Sequence, residues 1–522
     1  MCAKDNTNRH SHGYVTEVPY TWSYFHYQSP VLLSYVAWLN GLPAPDPRGA
    51  FTHVDLGCGN GVTSNLLAAA YPQAQFYGID FNADHIRNAQ RIAQQADLKN
   101  VTFIDASFDE MSQHDLPKFD YITLHGVYSW VSADVRAQVD TVINTMLKPG
   151  GLVYLCYNTL PGAAALMPVW KMMQVYAHEV EGDVQTRAQS AIDTIRQMHD
   201  TKARFFTENP TVDKYFVKML KRDPRYLVHE FLNTHYEPQY FSDVAQTFSG
   251  MGLDFAGSAR VYRNDARNFV SSRFTSHLAK AGSRVDWETR SSFLRNESFR
   301  WDVFQRPGGD ADACGAAQGL DALYIGALRE RATNRTTANV GRRALDLGTG
   351  CLASVRNCAE SGQFTISELK AHPDLIHYGQ DAVDGAIVDL IAADLLQPLL
   401  APLGRDRPRV DVTYKMASSV NLGLAQDILI SDGKSYFSSP TNGSAVRLDF
   451  ANGLLACLLH DKRLPDVPAL FAEKLVEIGQ MTGHRHVSQD NTQSQTWRET
   501  QFDGFVRKYL PRLLRLNILR AE

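Results

Sequence analysis

The sequence predicts an α/β fold: a parallel sheet flanked by helices, then a mainly helical middle region and a C-terminal α or α+β domain. Three observations predict it. The stretch HVDLGCGNGVTSNLLAAAYPQAQFYGID (53–80) reads as a strand, a glycine-rich turn, a helix and a second strand ending in an acid. Apolar, β-branched runs then alternate with amphipathic helical patterns to about residue 160. Finally, 522 residues, 44% apolar and 21% charged, exceed one ordinary core, and about 100–200 residues per domain gives three or four domains.

The elements follow in order. Residues 51–56 have the apolar content of a buried parallel strand. Gly57, Gly59 and Gly61 supply a turn where a residue without Cβ lets the backbone approach a ligand. VTSNLLAAAY resumes helical spacing until Pro72 ends it, and AQFYGID is the second strand, closed by Asp80. FNADHIRNAQRIAQQADL is an amphipathic helix capped near Asn82. NVTFIDASFDE is a third strand with Asp105 and Ala106 at its end; KFDYITLHGVYSWV holds a fourth strand over residues 120–124 and a His-Gly-aromatic loop. VINTMLKPGGLVYLCYN is a helix, a Lys-Pro-Gly-Gly turn and a fifth strand. Open parallel sheets bind ligands at such strand ends.

Two ligand classes need a glycine turn with an acid roughly twenty residues on, which accepts the hydroxyls of a ribose. One is the dinucleotides; the other is S-adenosyl-L-methionine. A dinucleotide fingerprint is G-x-G-x-x-G, but Val62 stands where its third glycine belongs. Asp55, just before the turn, would repel a pyrophosphate and suits the ammonium of an amino-acid tail. S-adenosyl-L-methionine has that tail, a sulfonium and no phosphate.

With these elements in place, the chain resembles the class I S-adenosylmethionine-dependent methyltransferases, a Rossmann-like fold. More narrowly, it resembles the bacterial methyltransferases with a methyltransferase regulatory domain, to which the rickettsial protein-lysine methyltransferases belong. The stretches that carry the narrower resemblance are YVTEVPY (14–20), LHGVYSWVS (124–132), YNTLPG (157–162), YLVHEFLNTHYEPQYFSDVA (226–245) and SFLRNESFRWDVF (292–304). The resemblance implies an N-methyltransferase acting on a protein, on lysine, and a homodimer. It implies that Tyr20 approaches the cofactor within an N-terminal lid.

Residue by residue, the expected cofactor contacts are Tyr20, Asp55, Gly57, Cys58, Gly59, Asp80, Phe81, Asp105, Ala106, His125 and Gly126. Tyr128 and Trp130 after the fourth strand, with Tyr157 and Asn158 after the fifth, are the candidate catalytic residues at one mouth. Aromatic faces there can hold a sulfonium or a methylated ammonium. His229 and Glu230 read as structural, because YLVHEFLN also fits a helix with one buried face. No metal site is indicated, since seven cysteines lie scattered without a C-x-x-C pair. That pattern, a polar start and no apolar run of about 18 residues fit a reduced cytoplasmic compartment without stable membrane insertion.

A net charge of −4 gives no overall attraction to nucleic acid. YNTLPG also departs from the Asn-Pro-Pro-aromatic motif of nucleic-acid amino-methylating enzymes. RRALDLGTGCLASVRN (342–357) imitates the first glycine turn, but no ordered strands follow, so a second cofactor site is not expected. The closing FDGFVRKYLPRLLRLNIL reads as a packed helix with a solvated basic face. The expected divisions are 1–45 (N-terminal segment), 46–182 (cofactor domain), 183–304 (helical and regulatory region), 305–341 (linker) and 342–522 (C-terminal domain). The alternatives are a methyltransferase for a small metabolite and a cofactor-binding regulatory protein without turnover.

Overall fold

Five parallel strands, each returned by a helix or loop, are in place by residue 160. The computed structural model describes residues 22–221, 224–308, 313–328 and 336–522; Tyr20 lies outside the described residues. A buried helix α1 (Pro30–Leu39) precedes β1 (Thr52–Leu56), α2 (Val62–Ala70) and β2 (Gln75–Asp80). Then come α3 (Ala83–Gln95), β3 (Val101–Asp105), β4 (Phe119–His125), α4 (Ala133–Met146) and β5 (Leu147–Leu160). Asn82 caps α3, its side chain accepting the Asp84 and His85 amides. Pairing of Phe119 with Leu147 and of Tyr121 with Leu152 absorbs the Lys-Pro-Gly-Gly turn as an irregularity at the start of β5.

The middle region supplies α5 (Met167–Ala177), α6 (Val184–Asp200) and α7 (Pro224–Phe231). The apolar stripe of α6 (Ala191, Ile192 and Ile195) packs with Val169, Met173, Phe216 and Phe231 into a separate helical core. The chain then returns to the sheet with β6 (Asp254–Ser258), α8 (Arg284–Arg295) and β7 (Phe299–Gln305). The sheet has eight strands, ordered β3-β2-β1-β4-β5-β7-β6, with the short strand Gln239–Tyr240 added beside the end of β5. β7 runs antiparallel to both β5 and β6.

Two expected divisions change. A boundary at 182/183 cuts through the sheet, because β6 and β7 lie beyond it and cover the open edge of β5. The described residues of the expected linker are not free either: Ala313 and Cys314 pair with Pro45 and Ala44. The helix Ala316–Asp321 presents Gly319 to Trp38, where an added Cβ would lie 2.2 Å from the indole.

The C-terminal domain is α+β. RRALDLGTG forms the second strand of the hairpin Thr337–Val340/Arg343–Asp346 and leads into α9 (Gly350–Ala359). An antiparallel hairpin has none of the parallel strand ends that a cofactor turn requires. Later come α10 (Val420–Asp432), β8 (Lys434–Ser439), β9 (Ser444–Asp449) and α11 (Phe450–Leu458). The closing stretch is packed, with Phe505, Leu510, Leu513 and Leu514 buried. Its helix widens to a π-turn at Phe505–Tyr509, just ahead of Pro511, which has no amide to donate. Among the described residues no helix is long and apolar enough to cross a membrane.

Candidate active site

The site begins where β1 stops. Gly57 takes φ +77°, and a Cβ there would lie 2.6 Å from Val127; at Gly61, φ +66°, it would meet Ala89 at 2.5 Å. Only glycine allows both the left-handed backbone and that approach. The Gly57 and Cys58 amides donate to the Ile79 carbonyl at 2.8 and 3.0 Å, locking the turn to β2. Asp80, at the end of β2, accepts the Gly59 amide at 2.9 Å through one oxygen and the Asn82 amide at 2.9 Å through the other. One carboxylate thus ties the glycine turn to the cap of α3.

Asp55 is 3% exposed. Gln28 donates to one of its oxygens at 3.0 Å, Ser64 to the other at 3.2 Å, and Thr123 approaches at 3.4 Å. Burial pushes its carboxyl up to about 7, against these hydrogen bonds, which lower it. All three donors are neutral. Among the described residues no cationic side chain pairs with Asp55, so a cation entering the cavity restores the charged form. Binding of an ammonium-bearing ligand therefore strengthens as pH rises through about 7, where free Asp55 loses its proton. Calorimetric titration with S-adenosylhomocysteine from pH 6 to 8 checks this: affinity climbs toward alkaline pH in the parent and stays flat in Asp55→Asn. Equal slopes in both chains would remove Asp55 from that role.

The opposite wall comes from the N-terminal segment. Phe25 stacks on His125, ring centroids 3.6 Å apart, and the Phe25 amide donates to Thr63 at 3.1 Å. His125 Nδ1 lies 3.0 Å from the Tyr154 hydroxyl, and burial pushes this imidazole down to about 3, so it is neutral. It acts as a flat wall rather than a cation.

These groups enclose a cavity of about 370 Å³. Of the expected cofactor residues, Asp55, Gly57, Cys58, Gly59, Asp80 and Phe81 line it at the ends of β1 and β2. Ala106 lines it after β3, His125 and Gly126 at the end of β4, and the expected catalytic residues Trp130 and Asn158 beyond β4 and on β5. Asp105 is exposed and outside the lining, because β3 is an edge strand with one flank uncovered.

Tyr128 and Tyr157 do not reach the cavity. Successive strand residues face opposite sides of a sheet, so Asn158 turns to the cavity while Tyr157 enters the core beneath. There its hydroxyl donates to Asp302 at 2.7 Å. Tyr128 is 4% exposed and donates to Asp140 at 3.0 Å.

The structure adds residues that the sequence reading missed. Phe25 and Gln28 precede the sheet, and nothing local marks them. His229, Glu230 and Asn233, read above as a structural helix or passed over, line the cavity. The i, i+1, i+4 spacing of these polar groups, on α7 and just past its end, inside a family-specific stretch, was the available signal. Nearby, Trp130 stacks on Tyr236 with ring centroids 4.7 Å apart.

Comparison with known proteins agrees with this architecture. Residues 49–227 match the model of a methyltransferase domain, and residues 223–306 match that of a predicted methyltransferase regulatory domain. The uncharacterized protein sll1526 of Synechocystis is 31% identical over 473 residues, 90% of this chain and 91% of that one. The uncharacterized protein RP028 of Rickettsia prowazekii is 30% identical over 241 residues, 45% of this chain and 92% of that one. The structure of PKMT2 from Rickettsia typhi in complex with AdoHcy superposes with TM-score 0.71 at 18% identity, covering 96% of this chain and 100% of that one. The glycine turn, its two acids, the strand order and these matches together show that the chain belongs to the S-adenosyl-L-methionine-dependent methyltransferases that carry a methyltransferase regulatory domain.

Proposed function

We propose that this protein transfers a methyl group from S-adenosyl-L-methionine to the side-chain amine of lysine in a protein substrate. The observation that carries the reading is one cavity lined both by a cation-seeking carboxylate, Asp55, and by aromatic and hydrogen-bonding groups, Trp130, Asn158 and Glu230. The donor supplies a methyl group on a sulfonium, already a good leaving group. The protein's work is to orient the partners and exclude water.

Asp55 holds the ammonium of the donor's amino-acid end, and Asp80 accepts the ribose hydroxyls. Phe25 and the neutral His125 ring close one side and keep water out. Trp130 and Asn158, with His229 and Glu230 of α7 and Asn233 just after it, receive the acceptor. A lysine amine with pKa near 10.4 is neutral in only about one molecule in two thousand at pH 7. Burial in the cavity strips the amine's hydration and disfavours its charged form, and the Glu230 carboxylate offers an acceptor for the ammonium proton. The PKMT2 likeness and the regulatory-domain resemblance support a protein as the carrier of that amine.

Incubating the purified chain with methyl-tritiated cofactor and lysate protein tests this. The expected result is label recovered in methylated lysine after acid hydrolysis. Label confined to small molecules would reject the protein acceptor and leave the methyl-transfer chemistry standing.

A further inference from the structure

The strap formed by residues 22–29 lies between the cavity and the C-terminal domain, and both faces of it are engaged. Toward the cavity it supplies Phe25 against His125 and Gln28 against Asp55. Toward the C-terminal domain, the Trp22 amide donates to Asp432 at the end of α10 at 3.0 Å. The Tyr24 hydroxyl lies 2.7 Å from the Ser444 hydroxyl at the start of β9 and accepts the Ala445 amide at 3.1 Å. Its ring packs on Tyr436 at 5.9 Å, and the Ser29 hydroxyl donates to the Gly443 carbonyl at 2.6 Å.

That part of the C-terminal domain is itself seated on the cofactor domain. Val420, Leu424 and Ile428 of α10 and Tyr436 of β8 form one buried cluster with Val62 and Leu66 of α2 and Ile92 and Ala96 of α3. Ser438 donates to the Leu66 carbonyl at 2.7 Å and Ser419 to the Ala96 carbonyl at 2.5 Å. The strap's other neighbour is β7: Tyr27 packs on Trp301 at 5.9 Å, and the Arg260 guanidinium lies 3.5 Å over the Trp301 ring.

From these contacts we infer that the C-terminal domain positions the donor site, with Asp432 and Ser444 as positioning residues that hold the strap so that Phe25 and Gln28 complete the cavity. The inference rests on the donor reading above. A strap of eight residues whose regular structure is one short 3₁₀ turn, His26–Gln28, has few partners of its own to keep it ordered, and fixing each backbone residue costs about 1–2 kcal/mol. Contacts that order it beforehand leave less of that cost to be met on binding, which raises affinity through pre-organisation. The C-terminal third thus acts on the cofactor without touching it.

The test uses the full chain and two readouts. In the double variant Asp432→Ala/Ser444→Ala, amide exchange of residues 22–29 accelerates without ligand, and the calorimetric Kd for S-adenosylhomocysteine rises about tenfold. Ser444→Thr alone, which keeps the hydroxyl that meets Tyr24, leaves both readouts at the parent's values. Gln28→Ala weakens binding in the parent and adds little once the anchor is lost, the non-additivity expected of residues acting through one element. An unchanged Kd in the double variant, with or without faster exchange, overturns the coupling. A parent chain that does not bind S-adenosylhomocysteine overturns the donor reading and the coupling together, whereas loss confined to the variants marks the donor reading as sound.

Discussion

An Asp80→Ala variant binds S-adenosylhomocysteine about a hundredfold more weakly than the parent, as read by calorimetry. The carboxylate has two oxygens with about four lone-pair sites. Two are occupied by the Gly59 and Asn82 amides. On the proposed reading, the sites left over at the cavity wall accept the two ribose hydroxyls. A hydrogen bond to a charged group contributes about 1.5–3 kcal/mol, so two lost near the lower end come to about 3 kcal/mol, roughly a hundredfold in Kd. The alanine also frees the Gly59 amide, so a control must separate lost contacts from a relaxed turn. Asp80→Asn provides it: the amide oxygen still accepts one hydrogen bond without the charge, and affinity falls by about tenfold. Parent-like binding by Asp80→Ala would leave the ribose without its clasp and remove the central support for the donor site.

What was legible in the sequence is what is local. The turn between β1 and β2, the acid at the end of β2 and the cap at Asn82 each depend on residues within about one strand–helix–strand unit, so spacing alone finds them. β6 and β7 were not legible. Asp254–Ser258 and Phe299–Gln305 pair with each other, and β7 with β5, across long sequence separations, and no periodicity encodes a partner. Tyr157 was misplaced for a different reason. Its neighbour Asn158 was also assigned to the mouth, yet adjacent strand residues cannot share a face, so the pattern itself excluded one of the pair. His229 and Glu230 show the converse. Their helix has a buried face, as read, and that face is buried against the cavity. The stretch that follows β7 misleads through composition: Gly319 reads as a loop residue yet sits in a helix packed against Trp38 of α1.

Arg300→Ala destabilises the protein by about 3–5 kcal/mol, the range for removing one partner of a buried ion pair, seen as a lowered urea midpoint at unchanged slope. The side chain is 4% exposed and meets three groups on two elements. It donates to both oxygens of Asp302 on β7 at 3.0 and 2.7 Å, to Ser292 at 3.1 Å and to Glu288 at 3.2 Å on α8. Burial opposes its charge, but the Asp302 and Glu288 carboxylates hold it firmly protonated. Its guanidinium also lies 4.0 Å over the Phe241 ring. Alanine strips buried Asp302 of its cation and leaves Glu288 with Arg295 alone, at 3.5 Å, and Tyr157, hydrogen-bonded to Asp302, loses a fixed partner. Because β7 seals the β5 edge, the damage spreads to the strand that carries Asn158. A paired change isolates the cause: Arg300→Met with Asp302→Asn and Glu288→Gln removes the charges together and recovers most of the loss, since an unpaired buried charge costs more than a neutral replacement. If the triple variant is no more stable than Arg300→Ala, packing at Phe241 rather than stranded charge sets the penalty, and the Arg and Asp of the SFLRNESFRWDVF stretch serve shape before electrostatics.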